Sequence, residues 1–163
     1  MGSAAALAPD DEVLGQYREM GVLLWRGFSL EAIMAQCFGN HNDNATKGRQ
    51  MPVHFGSPAL HFHTISSPLA TQIPQAAGVG YALKRDPTRR GKNCAACYFG
   101  EGPYFFPSHA CNDYPGPVPI GAASEGDFHA GLLFASTIPS PTLFLVRNVS
   151  HSRTSLFLVR KPA

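Results

Sequence analysis

The chain has 163 residues, of which 44% are hydrophobic and 15% charged, a composition that supports one packed domain and excludes wholesale disorder. The formal net charge of +2 is too small to indicate a nucleic-acid partner. No apolar run is long enough to span a bilayer, so we expect a soluble protein without a membrane partner. The first residues, from Met1 to Ala6, contain no basic side chain and are typical of neither a signal nor a transit peptide.

A helix is predicted after Ser29, which can cap its first turn. Glu31 suits the positive end of that helix, and Gly39 is a typical stop. Residues 40–60 are rich in Gly, Pro, Asn and His, and they indicate a loop. The apolar residues of the helix fall on one face, which we expect to lie in the core: Leu30, Ile33, Met34, Cys37 and Phe38.

A second helix start is predicted at Ser66-Ser67-Pro68, because Ser before Pro at the first helical position suits a cap. The helix is predicted to continue from Leu69 to Leu83. Its small residues should let it pack closely on a neighbour: Ala70, Ala76, Ala77, Gly78 and Gly80.

The second half of the chain predicts a βαβ unit. An apolar strand from Cys94 to Phe99 leads into Gly100-Glu101-Gly102. A sequence like a capping box at 124–127 then begins a helix from Phe128 to Thr137, and a second strand from Thr142 to Val146 ends in Arg147-Asn148. Ligands of open α/β sheets bind at the carboxyl edge, where these polar groups should meet.

Glu101 and Asn148 supply a carboxylate and an amide oxygen, which are suitable ligands for one Mg²⁺. Because Mg²⁺ seldom binds proteins without a phosphate partner, the pattern predicts a metal-bound diphosphate. On spacing alone, the alternative that Glu101 is a solvated loop residue between glycines remains open.

Other polar residues allow weaker interpretations. Cys94-x-x-Cys97 with His109-x-Cys111 resembles a zinc constellation, but the spacing is loose and buried strand thiols are the simpler interpretation. His54, His61 and His63 could serve a substrate or a phosphate, although loop histidines are more often incidental. The segment 103–121, with five prolines, is also far longer than a usual βα loop.

Several strings resemble the alpha subunits of branched-chain 2-oxo-acid dehydrogenases, the thiamine-diphosphate-dependent decarboxylating components. The resemblance extends from Gly2 to Asn148 and is interrupted only at 103–121. The strings that carry it are Gly15 to Glu19, Met34 to Asn40, Lys47 to His54, Thr64 to Ala76, Cys97 to Gly102 and Ala122 to Asp127.

The resemblance implies an α/β fold, namely a partial thiamine-diphosphate-binding domain over residues 1–148 with a parallel sheet flanked by helices and its C-terminal part missing. It further implies oxidative decarboxylation of branched-chain 2-oxo acids with acyl transfer to a lipoyl group. The implied partners are a beta subunit, in a heterotetramer, and the lipoyl-bearing acyltransferase, and the implied compartment is the mitochondrial matrix.

The resemblance also implies roles for individual residues. Glu101 would bind Mg²⁺. Four residues match a structural potassium site: Ser66, Pro68, Thr71 and Gln72. The residues that would contact the cofactor are Tyr17, Arg18, Ser67, Leu69, Gly102, Ala122 and Arg147, and His54 lies inside a family string.

The sequence also departs from the family. Val149 stands where a second Asn should bind the metal, and residues 149–163 form a tail unlike the family. We hypothesise that 103–121 and this tail are translated intron, which sequencing the mature transcript would test. A truncated sheet would leave an unpaired strand edge and an exposed apolar face. The alternative function is therefore an inactive truncated product that at most binds partner subunits.

Overall fold

The computed structural model describes residues 2–43, 45–100, 122, 125–147 and 154–159, with only the backbone described at 147 and 154–159. The helices are α1 (Gly2–Ala5), α2 (Met20–Trp25), α3 (Leu30–Cys37), α4 (Gln72–Arg85) and α5 (Gly126–Thr137), with a 3₁₀ turn at Pro58–Leu60. The strands are β1 (Glu12–Leu14), β2 (Ala95–Gly100), β3 (Thr142–Arg147) and β4 (Thr154–Val159).

The sheet has the order β1-β2-β3-β4, and its first three strands are parallel. Strands β2 and β3 pair along six residues, and Gly100 lies opposite Arg147 at the carboxyl edge. The predicted βαβ unit is therefore confirmed, since α5 connects two adjacent parallel strands. The family-like parallel sheet flanked by helices is confirmed with it.

Both faces of the sheet are covered, so β2 alternates between two apolar clusters. Cys97 and Phe99 pack with α4 and α5 on one face, whereas Ala96 and Tyr98 pack on the other face with residues of α2, α3 and the loop before α4. Burial on both sides explains why the strand reads as a nearly continuous apolar run. Among the described residues, no helix has the length and apolarity that a membrane crossing requires.

The small residues of α4 allow the close packing that the sequence predicts. Ala76 and Ala77 are fully buried. A Cβ at Gly80 would lie 2.2 Å from the Oγ1 atom of Thr142 in β3, and one at Gly131 of α5 would lie 2.8 Å from Cγ2 of Ile73. Glycine at these two positions therefore sets how near α4 lies to the sheet and to α5.

The prediction that the apolar face of α3 lies in the core is wrong for most of its residues. The cap is as expected, since the Ser29 Oγ accepts from the Ala32 amide at 3.1 Å. However, α3 packs through Ile33, Ala35 and Gln36. The remaining residues of the predicted core face are exposed, namely Leu30, Met34, Cys37 and Phe38. Periodicity identified the helix but not the side that neighbouring segments cover.

The predicted cap at Ser66-Ser67-Pro68 is also wrong. Helix α4 begins later, at Gln72, and its N-cap residue Thr71 makes no side-chain capping bond. The reason is Ala70, which adopts a φ of 68° and so interrupts any helix that starts at Pro68.

Strand β4 pairs antiparallel with β3, so the outer strands of the described sheet are β1 and β4, and the expectation of an unpaired edge stays a prediction. The string Leu-Phe-Leu-Val-Arg occurs twice in the sequence, at 143–147 and at 156–160, and its first four residues lie in β3 and in β4. Such apolar, β-branched and aromatic residues suit a strand. The tail at 149–163 therefore contributes to the sheet although it is unlike the family.

Candidate functional site

The polar residues after β1 lie at the carboxyl edge of the sheet. The carboxylate of Glu19 is buried and accepts hydrogen bonds from the amides of Gln16 at 2.7 Å and Arg18 at 3.2 Å. These bonds fold the chain into a tight turn between β1 and α2. The turn leaves Tyr17 half-buried and Arg18 exposed.

Tyr17, His54 and Ser67 form one hydrogen-bonded group, although they are far apart in the sequence. The Tyr17 hydroxyl donates to the Ser67 carbonyl at 2.9 Å and lies 3.3 Å from the His54 Nε2. The same Nε2 is 2.7 Å from the Ser67 Oγ. The structure therefore brings together two residues predicted to contact a cofactor and the histidine from a family string.

Two strained residues flank this group. Val53, next to His54, has a φ of 61°, and Ala70, three residues after Ser67, has a φ of 68°. A left-handed conformation costs a residue with a side chain about 1–3 kcal/mol, and such strain clusters at functional sites. The segments that carry His54 and Ser67 therefore contain backbone conformations that are locally unfavourable and that the surrounding fold imposes.

A pair of buried glutamines lies at the same edge. The Gln72 Nε2 donates to the Gln16 Oε1 at 3.1 Å and approaches the Tyr98 carbonyl at 3.4 Å. The Nε2 of Gln16 is buried and has no hydrogen-bond partner among the residues that the structure describes. A buried donor without a partner costs about 1–3 kcal/mol and calls for an explanation, such as a bound group.

The residues matched to a potassium site surround the start of α4. The Thr71 hydroxyl donates to the Pro68 carbonyl at 3.2 Å, and Gln72 is buried beneath that turn. Ser66 is half-buried, and Pro68 is exposed. The turn therefore concentrates carbonyl, hydroxyl and amide oxygens, which are the ligand types that hard cations prefer.

Some of the remaining predicted cofactor contacts lie near the carboxyl edge, and others lie outside the described residues. Leu69 and Ala122 pack in the same apolar cluster, beneath the carboxyl edge. Arg147 ends β3 opposite Gly100, so its backbone is at the predicted edge. The predicted metal ligand and the predicted diphosphate contact after it, Glu101 and Gly102, lie outside the described residues, as does Asn148.

Cys94 and Cys97 do not have the lowered pKa of a reactive thiol. Burial raises the pKa of the Cys94 thiol to about 11, helped by the nearby Asp11 carboxylate, and burial holds the pKa of Cys97 well above its usual value. In the part of the chain that is described, no group of three or more His, Cys, Asp or Glu residues could hold a metal ion. His109 and Cys111 lie outside that part.

His61 and His63 lie at the opposite, amino edge of the sheet. Both contact the Glu12 carboxylate, His61 through Nδ1 at 3.1 Å and His63 through Nε2 at 3.0 Å, and Arg89 binds it at 2.7 Å. Burial raises the pKa of Glu12, but the hydrogen bonds of Arg89 and His61 and the nearby positive charges outweigh it, so the pKa is lowered. These histidines belong to an internal network that connects three segments.

Sequence reasoning missed one residue of the site, Gln16. It follows a three-residue strand that the periodicity did not reveal, and although it lies in the family string Gly15 to Glu19, no role was assigned to it. Its importance depends on a contact with Gln72, 56 positions away, which only the folded chain shows.

Comparison with known proteins gives a consistent result. A family model described as "Dehydrogenase E1 component" matches residues 1–104. The "2-oxoisovalerate dehydrogenase subunit alpha 1, mitochondrial" of Arabidopsis thaliana is 52% identical over 148 residues, which cover 91% of this chain. The "2-oxoisovalerate dehydrogenase subunit alpha, mitochondrial" of Mus musculus and that of Homo sapiens are each 53% identical over 152 residues, or 93% of this chain.

These relatives are much longer proteins. The matched region is 26% of the Arabidopsis protein and 29% of the mouse and human proteins. The chain therefore spans less than a third of the length of the curated relatives it matches.

Proposed function

The chain belongs to the dehydrogenase E1 component family, and from that membership we propose that it is part of the alpha subunit of a branched-chain 2-oxo-acid dehydrogenase. The proposed reaction is the oxidative decarboxylation of branched-chain 2-oxo acids, with transfer of the acyl group to a lipoyl group. The observation that carries the proposal is identity above 50%, over more than 90% of the chain, to relatives named as alpha subunits of 2-oxoisovalerate dehydrogenase.

The geometry of the carboxyl edge supports a bound cofactor. Thiamine diphosphate, the cofactor on which the family depends, supplies the electron sink for decarboxylation of a 2-oxo acid when bound. The orphaned amide of Gln16 and the strained segments beside His54 and Ser67 fit an edge that is completed by a ligand. Tyr17, Ser67 and Leu69 would hold the cofactor.

The diphosphate of the cofactor requires positive charge and a metal ion. Arg18 is exposed at this edge, and a guanidinium can bind phosphate oxygens through two hydrogen bonds. Arg147, Gly102 and Ala122 would extend that contact, and Glu101 would bind Mg²⁺. K⁺ would bind at the oxygen-rich turn that contains Ser66, Pro68, Thr71 and Gln72.

The proposed partners are a beta subunit, with which the alpha subunit forms a heterotetramer, and the lipoyl-bearing acyltransferase. The exposed apolar side chains of α3 are consistent with a surface that another chain covers. By the printed names of the relatives, the proposed location is the mitochondrion, in its matrix.

Isothermal titration with thiamine diphosphate and Mg²⁺ tests the proposal, with the chain alone and with the beta subunit present. We expect binding heat in at least the second case, and a loss of affinity in Arg18→Lys, because an ammonium cannot replace the two-pronged guanidinium contact. Arg85→Lys, at the far end of α4, is the matched control and should bind normally. Absence of heat in both cases would refute cofactor binding by this chain.

A second candidate function is an inactive product that at most binds partner subunits. The observation that favours it is Val149, which stands in place of the expected second Asn ligand. Co-purification with the beta subunit but without any cofactor heat would select this alternative.

A further inference from the structure

The hydrogen bonds around His54 determine where its proton lies. The Nδ1 atom is 2.9 Å from the carbonyl oxygen of Pro52, which can only accept a hydrogen bond. Nδ1 must therefore carry the proton, because two acceptors at that distance would repel each other. The neutral ring then has an unprotonated Nε2, which can only accept.

Two hydroxyl groups lie near the His54 Nε2, those of Tyr17 and Ser67, and their other contacts show which of them donates to it. The single proton of the Tyr17 hydroxyl is directed to the Ser67 carbonyl at 2.9 Å. The Ser67 hydroxyl is closer to Nε2, at 2.7 Å against 3.3 Å for Tyr17. The Ser67 Oγ is therefore the donor to Nε2, and its only proton points inward to the histidine.

We propose that His54 is a positioning residue that fixes the Ser67 hydroxyl as an acceptor toward the bound ligand. Ser67 is exposed, so the lone pairs of its Oγ are available to a ligand while its proton is not. An oxygen in this state can accept from an amino or N–H group, but it cannot donate to a phosphate oxygen. Resting on the proposed cofactor, Ser67 would therefore contact the amino-bearing part of thiamine diphosphate and not its diphosphate.

Three features keep this arrangement in place. His54 is 6% exposed, so water does not compete freely for its ring nitrogens. Its ring meets that of Tyr17 edge to face, with centroids 5.1 Å apart, which fixes the ring plane. The left-handed backbone at Val53 and at Ala70 fixes the segments on both sides of the His54–Ser67 contact.

The first test is the tautomer of His54, which does not depend on any ligand. Long-range ¹H–¹⁵N correlation spectra of the ¹⁵N-histidine-labelled chain distinguish protonated from unprotonated ring nitrogens, and the His54→Asn spectrum assigns the signal among the seven histidines. In spectra recorded at a pH where the ring is neutral, we expect the proton on Nδ1, and a shift of the Nε2 resonance in Ser67→Ala. A proton on Nε2 in the neutral ring would overturn the proposal.

The second test compares two ligands, thiamine diphosphate and inorganic pyrophosphate, each with Mg²⁺. Ser67→Ala should weaken thiamine diphosphate binding about tenfold, the loss typical of one hydrogen bond to a ligand, and leave pyrophosphate binding within about twofold. Equal weakening of both ligands would mean that Ser67 donates to phosphate, and the proposal would fail.

A matched pair of variants isolates the positioning role. The amide of His54→Gln can place an oxygen near the position of Nε2, whereas His54→Asn can replace only the Nδ1 contact with Pro52. We therefore expect Gln to retain most of the affinity for thiamine diphosphate and Asn to lose as much as Ser67→Ala. Equal affinity of the two variants, with unchanged thermal midpoints, would contradict the proposal.

If the wild-type chain binds neither ligand, the proposed function fails, and the tautomer of His54 alone decides the present inference.

Discussion

The polar side chains at the two edges of the sheet differ in whether they have hydrogen-bond partners within the chain. At the amino edge, the Glu12 carboxylate is shared by Arg89, His61 and His63. At the carboxyl edge, the buried side-chain amide of Gln16 has no partner in the described part of the chain. Left-handed backbone does not distinguish the two edges, because His61 at the amino edge has a positive φ, as do the two strained residues at the carboxyl edge. The carboxylate at the amino edge is paired within the chain, whereas the carboxyl edge holds a buried donor that no described residue satisfies.

We infer from this difference that the polar groups at the amino edge stabilise the fold and that those at the carboxyl edge serve binding. Both edges contain histidines, so residue type alone does not distinguish them. What distinguishes them is whether the polar side chains find hydrogen-bond partners within the chain or keep donors that a ligand can satisfy. The comparison predicts that substitutions at the amino edge change stability, whereas those at the carboxyl edge mainly change binding.

The largest expected effect is that of Glu12→Gln. Neutralising this carboxylate removes the charged partner of Arg89, and hydrogen bonds to charged groups are worth about 2 kcal/mol. We expect the free energy of unfolding, measured by urea titration, to fall by about that amount. Asp10→Asn is the control, since Asp10 is exposed and lies 3.9 Å from His61, and it should change stability by less than about 0.5 kcal/mol.

The same carboxylate should make stability depend on pH. Because the pKa of Glu12 is lowered in the folded chain, the unfolded chain binds more protons in the acidic range. Its stabilisation is complete above the usual pKa of 4.5 and is lost as the pH falls through the lower folded value. Unfolding titrations in acid should show a weaker pH dependence for Glu12→Gln than for the wild type. Parallel curves would contradict this.

A pair of alanine-to-glycine substitutions compares the strained edge with an ordinary helix. Ala76 is fully buried within α4, and Ala76→Gly should destabilise by about 1.5 kcal/mol through the lost methyl group and lower helix propensity. Ala70→Gly loses a buried methyl group too, but it relieves the left-handed strain, so we expect a change within about 0.5 kcal/mol. Thermal unfolding measures both, and equal losses would mean that Ala70 is not strained.

The smallest expected effect on stability is that of Gln16→Leu. Removing the orphaned amide recovers a desolvation cost of about 1–3 kcal/mol, which offsets the loss of the acceptor for Gln72. We expect an unchanged or slightly higher thermal midpoint together with weaker binding of thiamine diphosphate. A large loss of stability would show that Gln16 belongs to a satisfied structural network like that of Glu12.

Much of the fold was predictable from the sequence because it depends on local patterns. Apolar runs of strand length and the helix between them identified the βαβ unit, and Ser29 identified the start of α3. The exposed side of α3 was not predictable, since periodicity describes a helix face but not what covers it. The pairing of β4 with β3 was missed, although the repeated Leu-Phe-Leu-Val-Arg string signals it.

The site was predictable in part, and for a different reason. The resemblance indicated Tyr17 and Ser67, which the structure places in contact. The roles of Gln16 and His54 depend on contacts between segments that are far apart in the sequence, and on which atom of each group carries a proton. Such information arises only when the chain is folded, because no local pattern specifies it.

The close approach of Gly80 to Thr142 links the position of helix α4 on the sheet to the position of the candidate site. Helix α4 behaves as a stiff rod, and Gly80 lies about 12 Å along it from Gln72. A methyl group at position 80 would push the rod away from β3 at a point remote from any ligand. The displacement would be transmitted to the turn before Gln72, at the other end of the helix. A single added carbon atom in the interior would therefore move the polar residues at the carboxyl edge of the sheet.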